Sequence, residues 1–284
     1  MKIKDYRTQF IDVLTPIYDA GEAESFFYLI LEEKQKLKRI DLALQPDLLF
    51  LDCEIVVWNS ILEELKKEIP IQYLLGKTTF YGLDFEVNPN VLIPRPETEE
   101  LVEWIIRNNL KIEKFKDLKI LDIGTGSGCI AISLAKNIIN ATVSAIDVSE
   151  QALVTAKKNA QNNSVNVSFI KQDILETEDL GQQFDIIVSN PPYVRNLEKE
   201  EIKKNVLDNE PHLALFVEDK DALIFYKKIA DLALKNLTTN GILFFEINQY
   251  LGPETVALLE ELQFKDIELR KDIYGNDRMI RCSI

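Results

Sequence analysis

The chain has 284 residues, of which 46% are hydrophobic and 28% are charged, a composition typical of a globular protein of about two domains. Its 33 lysines and arginines stand against 47 aspartates and glutamates, which gives a formal charge of −14 at pH 7. That balance disfavours a protein whose affinity comes mainly from neutralising nucleic-acid phosphates, so direct nucleic-acid binding is not expected.

The N-terminus enters charged residues at Lys2 without an apolar secretory core. No uncharged apolar run approaches the roughly 20 residues that a membrane span needs. The cysteines Cys53, Cys129 and Cys282 are widely separated, and His212 is the single histidine, so the usual ligands of a zinc site are lacking. The sequence therefore predicts a cytoplasmic protein with no membrane span and no metal.

Residues 1–75 are predicted to form a small helical domain. Apolar residues recur at helical spacing from Phe10 to Tyr18 and again from Ile55 to Ile69, where Pro70 ends the pattern. Further helices are predicted over residues 23–37 and 47–50.

Residues 76–95 are predicted to form a β-hairpin linker. Strand-like residues at 79–81 and 85–87 flank a turn that contains Gly82. Thr98 is expected to open the helix that follows.

Residues 96–284 alternate between strand-like and helical segments. This alternation favours a parallel, doubly wound α/β sheet, in which ligands bind outside the carboxyl ends of the strands. Those ends are therefore where functional residues are expected. The predicted strands are 120–123, 142–147, 165–171, 184–189, 241–247 and two near Ile267 and Ile280, and the predicted helices are 130–136, 150–162, 222–236 and 253–262.

The first strand end carries a glycine-rich turn that contains Gly124, Thr125, Gly126, Ser127 and Gly128. Glycines let the backbone turn tightly and approach a ligand closely. The Gly-x-Gly-x-Gly spacing differs from the dinucleotide fingerprint Gly-x-Gly-x-x-Gly, and without a Gly-Lys-Ser/Thr ending the turn is not a phosphate-binding loop of an NTPase. A plain strand-to-helix turn is the alternative interpretation.

Acidic residues follow the next two strands. Asp147 lies about 20 residues beyond the glycines, where a carboxylate can accept hydrogen bonds from ribose hydroxyls; alone, it could equally cap the helix after Ser149. Asp173 could accept a hydrogen bond from an adenine amine while Ile174 packs on the ring, or it could be a solvated loop acid. These residues favour a bound nucleoside but leave dehydrogenase and methyltransferase equally open.

The fourth strand ends in Asn190-Pro191-Pro192-Tyr193, which favours a methyltransferase. The prolines fix φ and remove two donors, so the Asn190 side chain and the Pro191 carbonyl can both act as acceptors. Two acceptors match the hydrogens of a planar –NH2 group, and Tyr193 offers an aromatic face to it. Holding both N–H groups can polarise a poorly nucleophilic nitrogen and aim its lone pair at a sulfonium methyl group.

Other charged residues have simpler interpretations. His212 is expected to be a loop histidine rather than a general base, and the acidic run at 198–201 a solvated helix face. Arg95, between two prolines, could be a rigidly placed functional group or one half of a structural ion pair.

The sequence resembles the class I S-adenosylmethionine-dependent amino-methyltransferases, and within them it is similar to the HemK/PrmC-type protein-glutamine methyltransferases. Besides the glycine turn and Asn190-Pro191-Pro192-Tyr193, the resemblance rests on three further blocks, which together cover roughly residues 70–284. These are Pro70-Ile71-Gln72-Tyr73-Leu74-Leu75-Gly76 with Phe80-Tyr81-Gly82, Ile93-Pro94-Arg95-Pro96-Glu97-Thr98-Glu99, and Glu210-Pro211 with the segment 272–278.

The resemblance implies a Rossmann-like seven-stranded catalytic domain over residues 96–284, after the hairpin linker and a helical domain that docks the substrate. It implies methylation of the glutamine in the Gly-Gly-Gln motif of class I peptide-chain release factors, which are the expected partners. By resemblance, the residues from Gly124 to Gly128 would surround S-adenosylmethionine, Asp147 would hold its ribose, and Asp173 with Ile174 its adenine. Asn190 and Pro191 would hold the glutamine amide beside Tyr193, with Asn190 also near the cofactor and Pro192 lining the substrate site.

Three alternatives remain at this point. An enzyme that methylates an exocyclic amine of DNA or RNA could use the same tetrapeptide, since flipped bases stack on aromatic rings. A scaffolding protein could keep the fold without turnover. A nicotinamide dehydrogenase would leave the Asn190 segment unexplained.

Overall fold

The computed structural model describes residues 1–110 and 117–284. It divides into two compact units, Met1–Gly76 with Lys204–Asn209, and Lys77–Lys203 with Glu210–Ile284.

The first unit packs its helices around an aromatic core. Phe10, Phe27 and Trp58 are fully buried, and their ring centroids lie 4.9 to 5.9 Å apart. Such aromatic contacts add to the free energy gained by burying apolar area. The helices before the sheet are α1 (Ile3–Leu14), α2 (Ala20–Gln35), α3 (Arg39–Leu44), α4 (Asp52–Leu65) and α5 (Ile71–Leu75).

Three expectations for this unit are wrong. The helix predicted through Tyr18 ends at Leu14, and Val13 and Ile17 are exposed. Residues 47–50 are not a helix, because Ile3 donates its backbone N–H to Leu48 O and Phe50 donates to Met1 O, so the segment runs extended beside the N-terminus. The helix predicted through Ile69 ends at Leu65, because Glu68 has a φ of 63°, outside the helical region.

The second unit opens with the predicted hairpin, formed by β1 (Lys77–Phe80) and β2 (Leu83–Glu86). Both turn residues, Tyr81 and Gly82, have positive φ, as a two-residue type I′ turn requires. Phe80 and Phe85 are buried in the core of this same unit, so the hairpin packs with the large sheet domain.

A seven-stranded sheet follows in the order β10-β11-β9-β6-β3-β4-β5. Within this sheet, β11 alone runs opposite to the other six strands, and apolar clusters cover the sheet. The seven-stranded Rossmann-like α/β fold is thus confirmed. The elements are α6 (Pro96–Leu110), β3 (Lys119–Ile123), α7 (Cys129–Asn137), β4 (Thr142–Asp147), α8 (Glu150–Asn162), β5 (Val167–Lys171), β6 (Phe184–Ser189), β7 (Val194–Arg195), α9 (Lys204–Asn209), β8 (Phe216–Val217), α10 (Ile224–Asn236), β9 (Leu237–Glu246), α11 (Gly252–Glu261), β10 (Lys265–Lys271) and β11 (Asp277–Ser283).

Helix α9 belongs to the first unit although it lies between β7 and β8, a short parallel pair. Within that unit, Lys204 forms an ion pair of 3.1 Å with Glu68, and Asn209 Nδ2 donates to Glu68 O. The second unit is therefore interrupted in sequence by a short helix that belongs to the first unit.

The acidic run before α9 is not wholly a solvated face. Glu198 lies in a 3₁₀ helix and is buried, pairing with Arg195 at 2.6 Å and accepting a hydrogen bond from Asn248 Nδ2. The expectation is therefore wrong for Glu198, because these partners come from flanking and distant parts of the chain.

Candidate active site

One cavity lies at the carboxyl ends of β3, β4, β5 and β6. Neighbouring β3 and β6 are the point at which the strand order reverses, where α/β sheets bind ligands. All the residues that line it belong to the second unit. Among them are Arg95, Thr98, Gly124, Thr125, Gly126, Ser127, Cys129, Asp147, Ser149, Gln172, Asp173, Ile174, Ser189, Asn190, Pro191, Pro192, Pro211 and Leu213.

The glycine turn is fixed to the end of the neighbouring strand. Gly126 donates its backbone N–H to Asp147 Oδ2 at 2.8 Å, and Ser149 donates to Asp147 Oδ1 at 2.9 Å. Gly126 has a φ of 54°, and a Cβ there would meet no atom within 4 Å. The backbone is thus open towards a ligand at this position.

Gly128 has a different role. It has a φ of 84°, and a Cβ there would lie 2.9 Å from Ile132 Cδ1 and 3.2 Å from Ala156 Cβ. Gly128 therefore allows helices α7 and α8 to pack closely, while the glycines before it line the cavity.

A buried carboxylate supports the turn from beneath. Asp122 Oδ2 accepts hydrogen bonds from Thr125 Oγ1 at 2.6 Å and from the Ala131 backbone. Burial raises the pKa of Asp122 to about 7. Asp122 Oδ1 and Ser127 Oγ are buried without a partner among the described residues, and buried polar atoms normally find one. Ser127 lines the cavity, so its spare hydroxyl beside the open glycine turn fits a hydrogen-bonding ligand such as S-adenosylmethionine.

The acids after β4 and β5 are placed differently. Asp147 is half-buried, and burial raises its pKa against the opposing hydrogen bonds from Ser149 and Gly126. A carboxylate has about four lone-pair sites, so Asp147 keeps acceptor capacity for a ligand. Asp173 is exposed and accepts a hydrogen bond from the Leu175 backbone, whereas Ile174 is buried in the cavity wall.

The Asn190 segment reaches the cavity from the end of β6. Asn190, Pro191 and Pro192 line it, whereas Tyr193 is not among the described residues that do. The Tyr193 ring packs partly buried against the core, and its hydroxyl donates to Glu246 Oε1 at 3.1 Å. Burial raises the pKa of this tyrosine well above its usual value, so the hydroxyl stays protonated.

Sequence reasoning missed Glu246 at the end of β9. Its side chain is 1% exposed, and it accepts a hydrogen bond from Thr98 Oγ1 at 2.7 Å as well as the one from Tyr193. The expectation that Thr98 opens a helix is wrong, because α6 begins at Pro96 and the Thr98 hydroxyl bonds Glu246 instead. The sequence signal for Glu246 was its position as an acidic residue directly after the apolar run Leu243–Phe245. Asp147 likewise ends an apolar strand.

At the cavity rim, Arg95 forms an ion pair of 2.6 Å with Glu210, whose side chain is 1% exposed. Glu210 also accepts a hydrogen bond from the Ile93 backbone. Of the two interpretations of Arg95, the structure therefore shows the ion pair, which joins the Pro-Arg-Pro segment to the loop before His212. The His212 ring packs edge-on against Phe216.

Comparison with known proteins decides the family. Residues 105–214 match the family model of the methyltransferase small domain. The chain is 66% identical over 283 residues to the release factor glutamine methyltransferase of Flavobacterium psychrophilum, covering 100% of this chain and 99% of that protein. The chain belongs to this family. The resemblance to protein-glutamine methyltransferases is thus confirmed.

Further matches agree with this membership. The release factor glutamine methyltransferase of Bacteroides thetaiotaomicron is 44% identical over 271 residues, covering 95% of this chain and 96% of that protein. Among solved structures, the hMettl16 catalytic domain in complex with the MAT2A 3′UTR hairpin 6 matches with a TM-score of 0.55 and 17% identity, over 72% of this chain and 76% of that chain. The likeness to that structure shows the fold alone.

No group of three or more His, Cys, Asp or Glu side chains in residues 1–110 and 117–284 is arranged to hold a metal ion. In the same part of the chain, no helix is both long and apolar enough to cross a membrane.

Proposed function

We propose that this chain transfers a methyl group from S-adenosylmethionine to the side-chain amide nitrogen of the glutamine in the Gly-Gly-Gln motif of class I peptide-chain release factors. The observation that carries the chemistry is that one cavity contains both the glycine turn and the Asn190-Pro191 acceptors. The substrate class follows from the family, whose members named release factor glutamine methyltransferase match 95% and 100% of this chain.

The cofactor end of the cavity is assigned by its donors and acceptors. Gly124 and Gly126 let the backbone approach the ligand, Asp147 accepts from the ribose hydroxyls, and Asp173 with Ile174 borders the adenine. When bound, S-adenosylmethionine supplies a methyl group on a positively charged sulfur. No protein nucleophile is required, because the substrate nitrogen receives this methyl group directly.

At the substrate end, Asn190 Oδ1 and the Pro191 carbonyl accept the two N–H groups of the glutamine amide. An amide nitrogen is a poor nucleophile because its lone pair is delocalised over the carbonyl. Two fixed acceptors orient the nitrogen and polarise it, which is catalysis by positioning and electrostatic preorganisation. The extra proton leaves to water after transfer, because the methylated nitrogen is acidic at that stage.

Two further roles are predictions, one for Tyr193 and one for the helical domain. Tyr193 is held by Glu246 at the edge of the site, and its stacking beside the glutamine amide stays a prediction. The role of residues 1–75 in docking the release factor also stays a prediction.

The test offers methyl-labelled S-adenosylmethionine with a full-length, unmodified class I release factor, and with tRNA, rRNA and DNA in parallel reactions. We expect label on the release factor and none on the nucleic acids. Label on a nucleic acid alone would overturn the proposed substrate and favour the exocyclic-amine alternative. Cofactor binding without transfer to any substrate would favour a scaffolding role.

A further inference from the structure

The Glu246 carboxylate joins three elements beneath the Asn190 segment. It lies at the end of β9 and receives Thr98 Oγ1 from α6 on Oε2 and the Tyr193 hydroxyl, from the segment after β6, on Oε1. A buried carboxylate is costly unless its oxygens are satisfied, and here both are. Hydrogen bonding thus connects the buried carboxyl of Glu246 to Thr98, which lines the cavity.

The hydrogen bonds in this group run in one direction. Thr98 Oγ1 donates to Glu246 Oε2 at 2.7 Å, which uses the single proton of the hydroxyl. The Thr98 oxygen can then only accept from its next neighbour, which is Asn190 Nδ2 at 3.4 Å. The amide nitrogen of Asn190 therefore faces Thr98, and its oxygen lies at the opposite side of the planar group.

The Asn190 oxygen is left for a ligand. Among residues 1–110 and 117–284, no hydrogen bond to Asn190 Oδ1 is present, and Asn190 lines the cavity. If the amide turned by 180°, its N–H groups would face the N–H groups of a substrate amide. The direction of one side-chain amide thus decides whether the site accepts or repels a substrate donor.

We propose that Glu246 and Thr98 are positioning residues that hold Asn190 with its oxygen towards the substrate amide; this rests on the proposed glutamine methylation. The pKa of Glu246 is raised from its ordinary value, with burial as the largest cause. The hydrogen bonds from Thr98 and Tyr193 and the charge of Arg278 act in the opposite direction. Glu97 opposes ionisation only as the last of the contributions.

Glu246→Gln separates positioning from stability. The variant has nearly the same shape, and its amide oxygen can still accept the hydrogen bond from the Tyr193 hydroxyl. Its amide N–H can donate to Thr98, which frees the threonine proton to donate to Asn190 Oδ1 and permits the reversed amide. We expect about a 10- to 100-fold lower turnover with release factor, with S-adenosylmethionine affinity and the free energy of unfolding close to those of the wild type.

Thr98 offers a matched pair of variants. Thr98→Val removes the hydroxyl at nearly constant shape and should lower turnover as Glu246→Gln does, whereas Thr98→Ser keeps the hydroxyl and should restore most of it. Thr255→Val is the control, since Thr255 is fully buried in α11 and its hydroxyl donates to the Leu251 carbonyl. The double variant of Thr98 and Glu246 should lose little more than either single variant, because the two act in one chain of contacts.

Each outcome decides the proposal. Wild-type turnover in Glu246→Gln and Thr98→Val would overturn the positioning roles while leaving the proposed function in place. If Thr98→Ser lost as much turnover as Thr98→Val, the positioning roles would also be overturned. The same holds if the loss of turnover in each variant were proportional to its loss in free energy of unfolding. Absence of transfer by the wild type would overturn the proposed function, and the positioning roles with it.

Discussion

The backbone N–H of Gly126 donates to the side chain of Asp147 at 2.8 Å, across the ends of two neighbouring strands. The turn after β3 and the acid at the end of β4 therefore hold each other in place. Asp147 shapes the glycine turn as well as offering acceptors to a ligand. Substitutions in the turn should therefore fall into two groups. Some should weaken ligand binding, and others should lower the free energy of unfolding.

Gly126→Ala should weaken S-adenosylmethionine binding more than it destabilises the protein. A Cβ at Gly126 meets no protein atom within 4 Å, so the folding cost is that of a left-handed alanine, about 1–2 kcal/mol. The added methyl group occupies open space at the cavity wall. Gly181→Ala is the matched control, since Gly181 has a φ of 74° and equally open surroundings on the surface. Calorimetric titration should show lower affinity in Gly126→Ala only; equal affinity in both variants would contradict the assignment.

Gly128→Ala should destabilise the fold more than Gly126→Ala does. Its Cβ would lie 2.9 Å from Ile132 Cδ1 and 3.4 Å from the Ala156 backbone. Overpacking adds about 1–3 kcal/mol to the backbone strain, and urea denaturation measures the sum. Equal free energies of unfolding for the two variants would contradict the close packing of α7 against α8 at Gly128.

Asn190→Ala should abolish most turnover while cofactor binding persists. The change removes an acceptor for the substrate amide, and the loss of one preorganised hydrogen-bonding group typically costs about 100- to 1,000-fold in rate. Single-turnover transfer and equilibrium binding of S-adenosylmethionine, measured in parallel, check this. Asn166→Ala, at an exposed position outside the cavity, is the control. Unchanged turnover in Asn190→Ala would remove this residue from the mechanism.

Asp122→Asn should change how stability depends on pH in the ligand-free protein. The folded pKa of Asp122, about 7, lies above its unfolded value, so the folded state favours the protonated form. Its contribution to stability is complete below about pH 4 and is lost as the pH rises through 7, which amounts to roughly 4 kcal/mol. Asparagine stays neutral throughout.

The free energy of unfolding of Asp122→Asn should therefore rise relative to the wild type between pH 5 and pH 8. Urea denaturation at a series of pH values measures the difference. A difference that is constant with pH would show that this carboxyl does not titrate in that range.

The strand-end residues could be predicted because a local rule places them. In a parallel sheet, carboxyl ends meet at one edge, so the glycine turn, Asp147 and Asn190 could be assigned to one site from chain order alone. The boundaries of the hairpin strands were harder to predict from the sequence. Tyr81 is of a residue type common in strands, and its positive φ is visible only in the structure.

The supporting contacts could not be predicted in this way. Thr98 and Glu246 are 148 residues apart, and Arg95 and Glu210 are 115 apart, so their pairing depends on the completed fold. Residues 47–50 likewise run extended because distant backbone groups at the N-terminus pair with them. Pairings between distant residues leave no periodic pattern in one sequence.

The central claim is tested most directly by peptide mass spectrometry of a class I release factor after incubation with this protein and S-adenosylmethionine. A release factor whose Gly-Gly-Gln glutamine is replaced by asparagine serves beside it, because the shorter side chain cannot carry its amide as far into the cavity. The account predicts one added methyl group on the glutamine side chain of the unmodified factor and none on the variant. A methyl group elsewhere in the factor, or equal methylation of both factors, would contradict it.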